Sequence, residues 1–114
     1  MMRIFRTRSY ERDLKRLRLT AVEATLIETA IVENPTAGDI IPGLHGLRKL
    51  RFAMRDRGKR GGGRAVYFLL TAEGAAVMLF AYAKSMKEDL SSEERRYALS
   101  LMEHWQDEAP EQDD

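Results

Sequence analysis

The sequence predicts an α+β domain: a small antiparallel β-sheet carrying an N-terminal helical hairpin and a C-terminal helix, in the order β-α-α-β-β-β-α. Three observations predict it. Two helical periods, the second opened by a capping signal, fill the N-terminal third of the chain; three strand-like runs follow between Leu47 and Ala83; and a second capping signal near Ser91 opens a last amphipathic stretch.

The segment "MMRIFRT" alternates enough for a short first strand. From Ser9, the spacing of Tyr10, Leu14 and Leu17 puts apolar side chains on one face of a charged helix. Thr20 and Glu23 form a T-x-x-E capping box, and Val22, Leu26, Ile27, Ala30 and Ile31 continue a helical period until Asn34-Pro35 ends it. The following "NPTAGDIIPGLHG" is rich in Pro and Gly and reads as a connection. In "LRKLRFAM" the period changes to two, with Leu47, Lys49, Arg51 and Ala53 on one strand face and Arg48, Leu50, Phe52 and Met54 on the other. "RAVYFLL" and "AAVMLFAYA" are nearly continuous apolar runs joined by "TAEG", the signature of two central strands covered on both faces and linked by a tight hairpin. Ser91 and Glu94 make an S-x-x-E box, after which Ala98, Leu101, Met102 and Trp105 supply an apolar stripe. Residues 1–106 are therefore expected to form one domain, and residues 107–114, "DEAPEQDD", a disordered acidic tail with almost nothing to bury.

At 114 residues the chain has room for one modest core. Its formal net charge of +1 conceals an asymmetry: residues 1–64 hold 15 basic and 7 acidic side chains, and residues 65–114 hold 4 and 11. Between Arg48 and Arg64 eight Lys or Arg residues face a single Asp56, a density that points to an anionic partner. There is no cysteine, which excludes thiol nucleophiles and thiolate-held metals. The apolar runs fall short of the ~20 residues of a membrane span, and the charged N-terminal segment does not read as a signal peptide, so a cytoplasmic location is expected.

Most site chemistries can be set aside. His45 and His104 stand apart with no clustered second ligand, so no metal or cofactor is expected. The glycine-rich "GKRGGGR" lacks the Gly-Lys-Ser/Thr ending of a phosphate loop; its glycines suit a free hairpin or a close backbone approach. What remains is cationic: Lys49 and Arg51 on one strand face, Arg55, Arg57, Lys59 and Arg60 in the loop, Arg64 opening the next strand, and Lys84 and Lys87 after the last. Such a set fits a phosphodiester backbone, held without reading its sequence. It also fits a solvated surface or a docking site for an acidic protein. If the substrate is RNA, its own 2′-hydroxyl can attack the adjacent phosphorus, and positioning with charge stabilisation supplies much of the catalysis. Arginine holds its proton too tightly to act as base. A lysine crowded by like charges and drawn out of water releases its proton more readily, which makes Lys49 the candidate base, with Arg51 and Arg64 stabilising the phosphoryl charge.

The segments "GLRKLRF", "RGKRGGGRAVYFLL" and "VMLFAYAKSMKEDLSSEE" resemble the RelE/HigB branch of the RelE/ParE toxin superfamily, in order and spacing over nearly the whole chain. The resemblance implies a RelE-like fold and the toxin of a type II toxin–antitoxin module: a ribosome-dependent, metal-independent mRNA endonuclease (an mRNA interferase) that cuts translated messages in the A site. It implies catalytic roles for Lys49, Arg51, Arg64 and Lys84, and substrate contacts from Arg57, Lys59, Arg60, Tyr82 and Lys87, Tyr82 fitting either a base-stacking or a core position. The implied partners are the ribosome, mRNA and a cognate antitoxin, often a helix-turn-helix DNA-binding protein. Close relatives often read Tyr-Ala-Lys-Asn-Glu-Lys where this chain has "YAKSMK", so Ser85 and Met86 depart from the pattern. The alternatives are a ParE-like gyrase poison on the same fold and a non-catalytic module that binds nucleic acid or antitoxin.

Overall fold

Strand β1 (Arg3–Arg6) leads into α1 (Arg8–Arg16) and α2 (Ala21–Glu33), followed by β2 (Asp39–Ile40), β3 (Arg48–Met54), β4 (Gly62–Leu70), β5 (Ala75–Ala83) and α3 (Ser92–Glu108). The structure, a computed structural model, describes residues 2–54 and 62–108. The expected loop cations Arg55, Arg57, Lys59 and Arg60, and residues 109–114 of the expected tail, lie outside the described residues.

Each helix begins where its sequence satisfies the free N–H groups of a first turn. Thr7 Oγ1 accepts from the Tyr10 amide at 3.2 Å. The Thr20–Glu23 box closes in both directions, at 3.1 and 2.8 Å. The Ser91–Glu94 box does the same at 3.1 and 2.8 Å. Helices α1 and α2 bury Tyr10, Leu14, Ala24, Ile27 and Ile31 against one sheet face, while Ala98 and Met102 of α3 cover the other. The expected α2 stripe holds at Ile27 and Ile31 but not at Val22 and Leu26. Val22 and Leu26 stand 68% and 64% exposed, because the buried line runs through Ala24, Ile27 and Ile31, and the apolar residues of α2 are too many for one face.

The five strands lie in the order β1-β5-β4-β3-β2. The β3–β4 and β4–β5 pairs are antiparallel, and the Thr71–Glu73 turn with Gly74 makes the tight link expected of "TAEG". Two features depart from the sequence reading. β1 pairs with β5 in parallel, Arg3 opposite Ala75 through Arg6 opposite Met78, since no hairpin joins these strands and none dictates their sense. Two residues of the turn-rich connection form β2 against β3, Asp39 opposite Lys49 and Ile40 opposite Arg48. A pairing this short needs no alternating run to announce it.

β1 ends at Arg6, opposite Met78, leaving half of the β5 edge without a strand. Side chains around the start of α1 satisfy it instead: Thr7 Oγ1 donates to Met78 O at 2.8 Å, Ser9 Oγ donates to Leu79 O at 2.6 Å, and the Ala81 amide donates to Asp13 Oδ2 at 3.0 Å. An open edge is thereby closed without a sixth strand.

Candidate functional site

Directly paired residues project from the same sheet face, so the registers of β3, β4 and β5 decide which cations meet. Arg51 lies opposite Arg64, and Arg64 opposite Tyr82. One step along, Lys49 lies opposite Val66, and Val66 opposite Phe80. Lys49, Arg51, Arg64 and Tyr82 therefore share the face covered by α3. A bulge in β5 puts Tyr82 there. The pairing passes from Met78 to Phe80 and leaves Leu79 extra, so Leu79 and Phe80 both pack toward α3. Before it, Ala76 and Met78 face the helical hairpin; after it, Ala81 faces the hairpin and Tyr82 faces α3. Without the extra residue Tyr82 would take the Ala76–Met78 face, which is the re-aiming a bulge provides.

Arg64 is only 6% exposed. Its Nη1 donates to Gly63 O at 3.0 Å, and among the described residues no carboxylate pairs with it. A guanidinium withdrawn from water without a counter-charge is costly, and an arriving anion repays that cost. Gly63 contributes through what it lacks. A Cβ at this position would sit 2.2 Å from Phe52 Cζ, so the bare backbone lets the Phe52 ring lie flat beside Arg64's strand. Arg51 is exposed and has no ion-pair partner among the described residues. Lys84 lies just past β5, where its amide donates to Gly62 O at 2.9 Å and carries the ladder one residue further; its side chain is exposed.

The other two lysines meet carboxylates from the segment that leads into α3. Lys49 Nζ lies 3.7 Å from Asp89 Oδ1, and Asp89 Oδ2 in turn lies 3.9 Å from Arg95 Nη2. Lys87 Nζ donates to both Glu94 oxygens, at 2.6 and 2.5 Å, and stands 5.0 Å from the centre of the Tyr82 ring. Burial pushes Glu94 upward, but hydrogen bonds from Lys87 and Ser91 outweigh it and hold the carboxyl below its ordinary value. Tyr82 is buried in the α3-side core. Burial first, then the Asp89 and Glu94 carboxylates, push its phenol up to about 12 against the opposing pull of Arg64. It stays protonated at neutral pH, with its hydroxyl 3.5 Å from Glu88 O.

Sequence reasoning missed Asp89 and Arg95. A cleft of about 250 Å³ lies beside Lys49, lined by Ile40, Ile41, Pro42, Asp89 and Arg95. Periodicity finds Glu94 as a cap, but it carries no signal that the turn before α3 folds back over β3.

A family model described as RelE toxin of the RelE/RelB toxin–antitoxin system matches residues 2–112. The structure is similar to that of a doubly substituted Escherichia coli toxin RelE in the free state, with a TM-score of 0.55 and 16% identity over 88% of this chain and 96% of that one. It is also similar to the isolated E. coli RelE toxin (TM-score 0.51, 16% identity, 90% and 98% covered) and to a conserved hypothetical protein from Helicobacter pylori (0.53, 17%, 75% and 97%). At these identities the structural likeness speaks for the fold. Together with the family match over nearly its whole length, it shows that the chain belongs to the RelE toxin family of toxin–antitoxin systems.

Proposed function

We propose that the protein is the toxin of its module through a metal-independent endoribonuclease activity on translated mRNA in the ribosomal A site. The observation that carries this reading is the row Arg51–Arg64–Tyr82 with Lys49 one step away on the same face, and at its centre a buried guanidinium that no carboxylate pairs with among the described residues. In this mechanism Lys49, freed from Asp89 as the strand binds, gives its ammonium proton to water, and the neutral amine then takes the proton of the 2′-hydroxyl. The 2′-oxygen bonds to phosphorus, the bond from phosphorus to the 5′-oxygen breaks, and the leaving oxygen takes a proton from water. The products are a 2′,3′-cyclic phosphate and a 5′-hydroxyl. Arg64 and Arg51 hold the phosphoryl oxygens as charge accumulates on them, where preorganised donors have most effect. Lys84 and Lys87, at the same end of the sheet, flank the path of the strand, and a cognate antitoxin would counter this basic face.

Primer extension on an actively translated message with purified ribosomes tests the proposal. Cleavage at A-site codons that requires ribosomes and falls at least a hundredfold in Arg64→Ala is the expected result. Intact message during growth arrest by the wild-type protein overturns it. DNA breaks under those conditions would then point to gyrase, and arrest with neither lesion to a binding role.

A further inference from the structure

The cleft beside Lys49 combines two cations, an apolar wall and a loosely held carboxylate. Its wall is built by β2 and the residue after it. Asp39 pairs with Lys49, the Ile41 amide donates to Leu47 O at 2.8 Å, and Ile40 is left 56% exposed at the lip. Across from it, Arg95 occupies the first turn of α3, its Nε 3.4 Å from Leu90 O. The Asp89 carboxylate lies between Lys49 at 3.7 Å and Arg95 at 3.9 Å, and is itself 57% exposed. Ion pairs of this length between water-exposed groups contribute little, so another anion can displace this one. A point where two cations converge on one exchangeable oxyanion, beside an exposed isoleucine, has the makings of a nucleotide site: phosphate between the cations, base against the apolar wall.

We propose that the cleft formed by Ile40–Pro42, Lys49 and Arg95 is a subsite for a nucleotide adjoining the scissile phosphate, and that Asp89 occupies its phosphate position until RNA displaces it. The subsite rests on the ribonuclease reading and extends it. Lys49 is common to both places, so a strand crossing the Arg51–Arg64 row reaches Arg95 one nucleotide further along. Arg95 is a binding residue here; Asp89 competes with substrate.

The test measures cleavage by the full chain on programmed ribosomes, with kcat and KM obtained separately for wild type, Arg95→Gln, Arg95→Lys and Asp89→Asn. Loss of one charge-assisted phosphate contact raises KM by about tenfold or more for Arg95→Gln while kcat holds. Arg95→Lys recovers most of that loss, which a purely structural defect at the start of α3 would not allow. Asp89→Asn lowers KM several-fold, and Ile40→Gln alters preference for the flanking base. Wild-type cleavage with KM unchanged in Arg95→Gln and Asp89→Asn overturns the subsite and leaves the ribonuclease reading standing. No cleavage by wild type removes that reading and the subsite with it.

Discussion

At the scale of single residues, positions outside the basic row decide the geometry of those within it. Gly63 lies on Arg64's own strand and lets Phe52 pack against it, and a Cβ there would sit 2.2 Å from the ring's Cζ. Gly63→Ala is expected to lower stability by ~1–3 kcal/mol, the range for overpacking a filled core, with a urea midpoint that shifts accordingly. Adding Phe52→Leu should restore part of the loss; an unchanged midpoint in Gly63→Ala would mean the ring moves freely. The tyrosines make a second case. Burial is the leading cause that raises Tyr10, Tyr67 and Tyr82, the last to about 12. A phenol whose folded value exceeds its unfolded value of about 10 adds stability in full below pH ~10, and the contribution is lost as pH rises through the folded value. Alkaline unfolding is therefore expected to begin above pH ~10, and phenolate absorbance should rise together with loss of structure. With the exposed Tyr97 replaced by Phe, a tyrosine that titrates near 10 in a chain still folded would contradict the burial of the other three rings.

At the scale of elements, what the sequence made legible depended on whether a signal was local. Capping boxes are local, and Thr20–Glu23 and Ser91–Glu94 both close as expected. The two faces of β3 follow from alternation alone: Phe52 packs with the helical hairpin while Lys49 and Arg51 turn away. The parallel sense of β1, the bulge at Leu79 and the pairing of β2 all depend on partners distant in the chain, and no window of residues encodes them. The half-open edge of β5 is such a feature. Asp13→Ala removes the acceptor of the Ala81 amide and is expected to cost about 1–3 kcal/mol, with hydrogen exchange at Ala81 accelerated beyond that of its neighbours. Equal exchange in both proteins would show that another group can take over that amide. Helix α3 responds to acid for a related reason. Glu94 is held below its ordinary value of 4.5, so its contribution is present above that value and fades as pH falls through the folded one. Glu94→Gln, which retains a cap acceptor and loses the charge, should flatten this acid limb in a pH series of thermal melts.

At the scale of the whole molecule, the charge asymmetry of the sequence is partly answered within the fold. The basic half supplies Lys49, the acidic half returns Asp89 to it, and Glu94 engages Lys87. The cations of the site are thus divided: Arg51 and Arg64 have no carboxylate among the described residues, whereas Lys49 and Lys87 do. This division has a measurable consequence. Binding to single-stranded RNA releases counterions in proportion to the phosphates neutralised, with a logarithmic salt slope of about −0.7 per contact. Lys49, Arg51 and Arg64 alone give a slope of roughly −2, and each further cation engaged steepens it by about 0.7. With an uncleavable 2′-O-methyl oligoribonucleotide and fluorescence anisotropy over a salt series, the wild-type chain should show at least this slope. Asp89→Asn combined with Glu94→Gln frees the paired cations for phosphate, and should bind more tightly at low salt with a steeper slope. A double variant identical to wild type would mean that the two carboxylates do not compete with RNA, and that the cations they hold lie off its path.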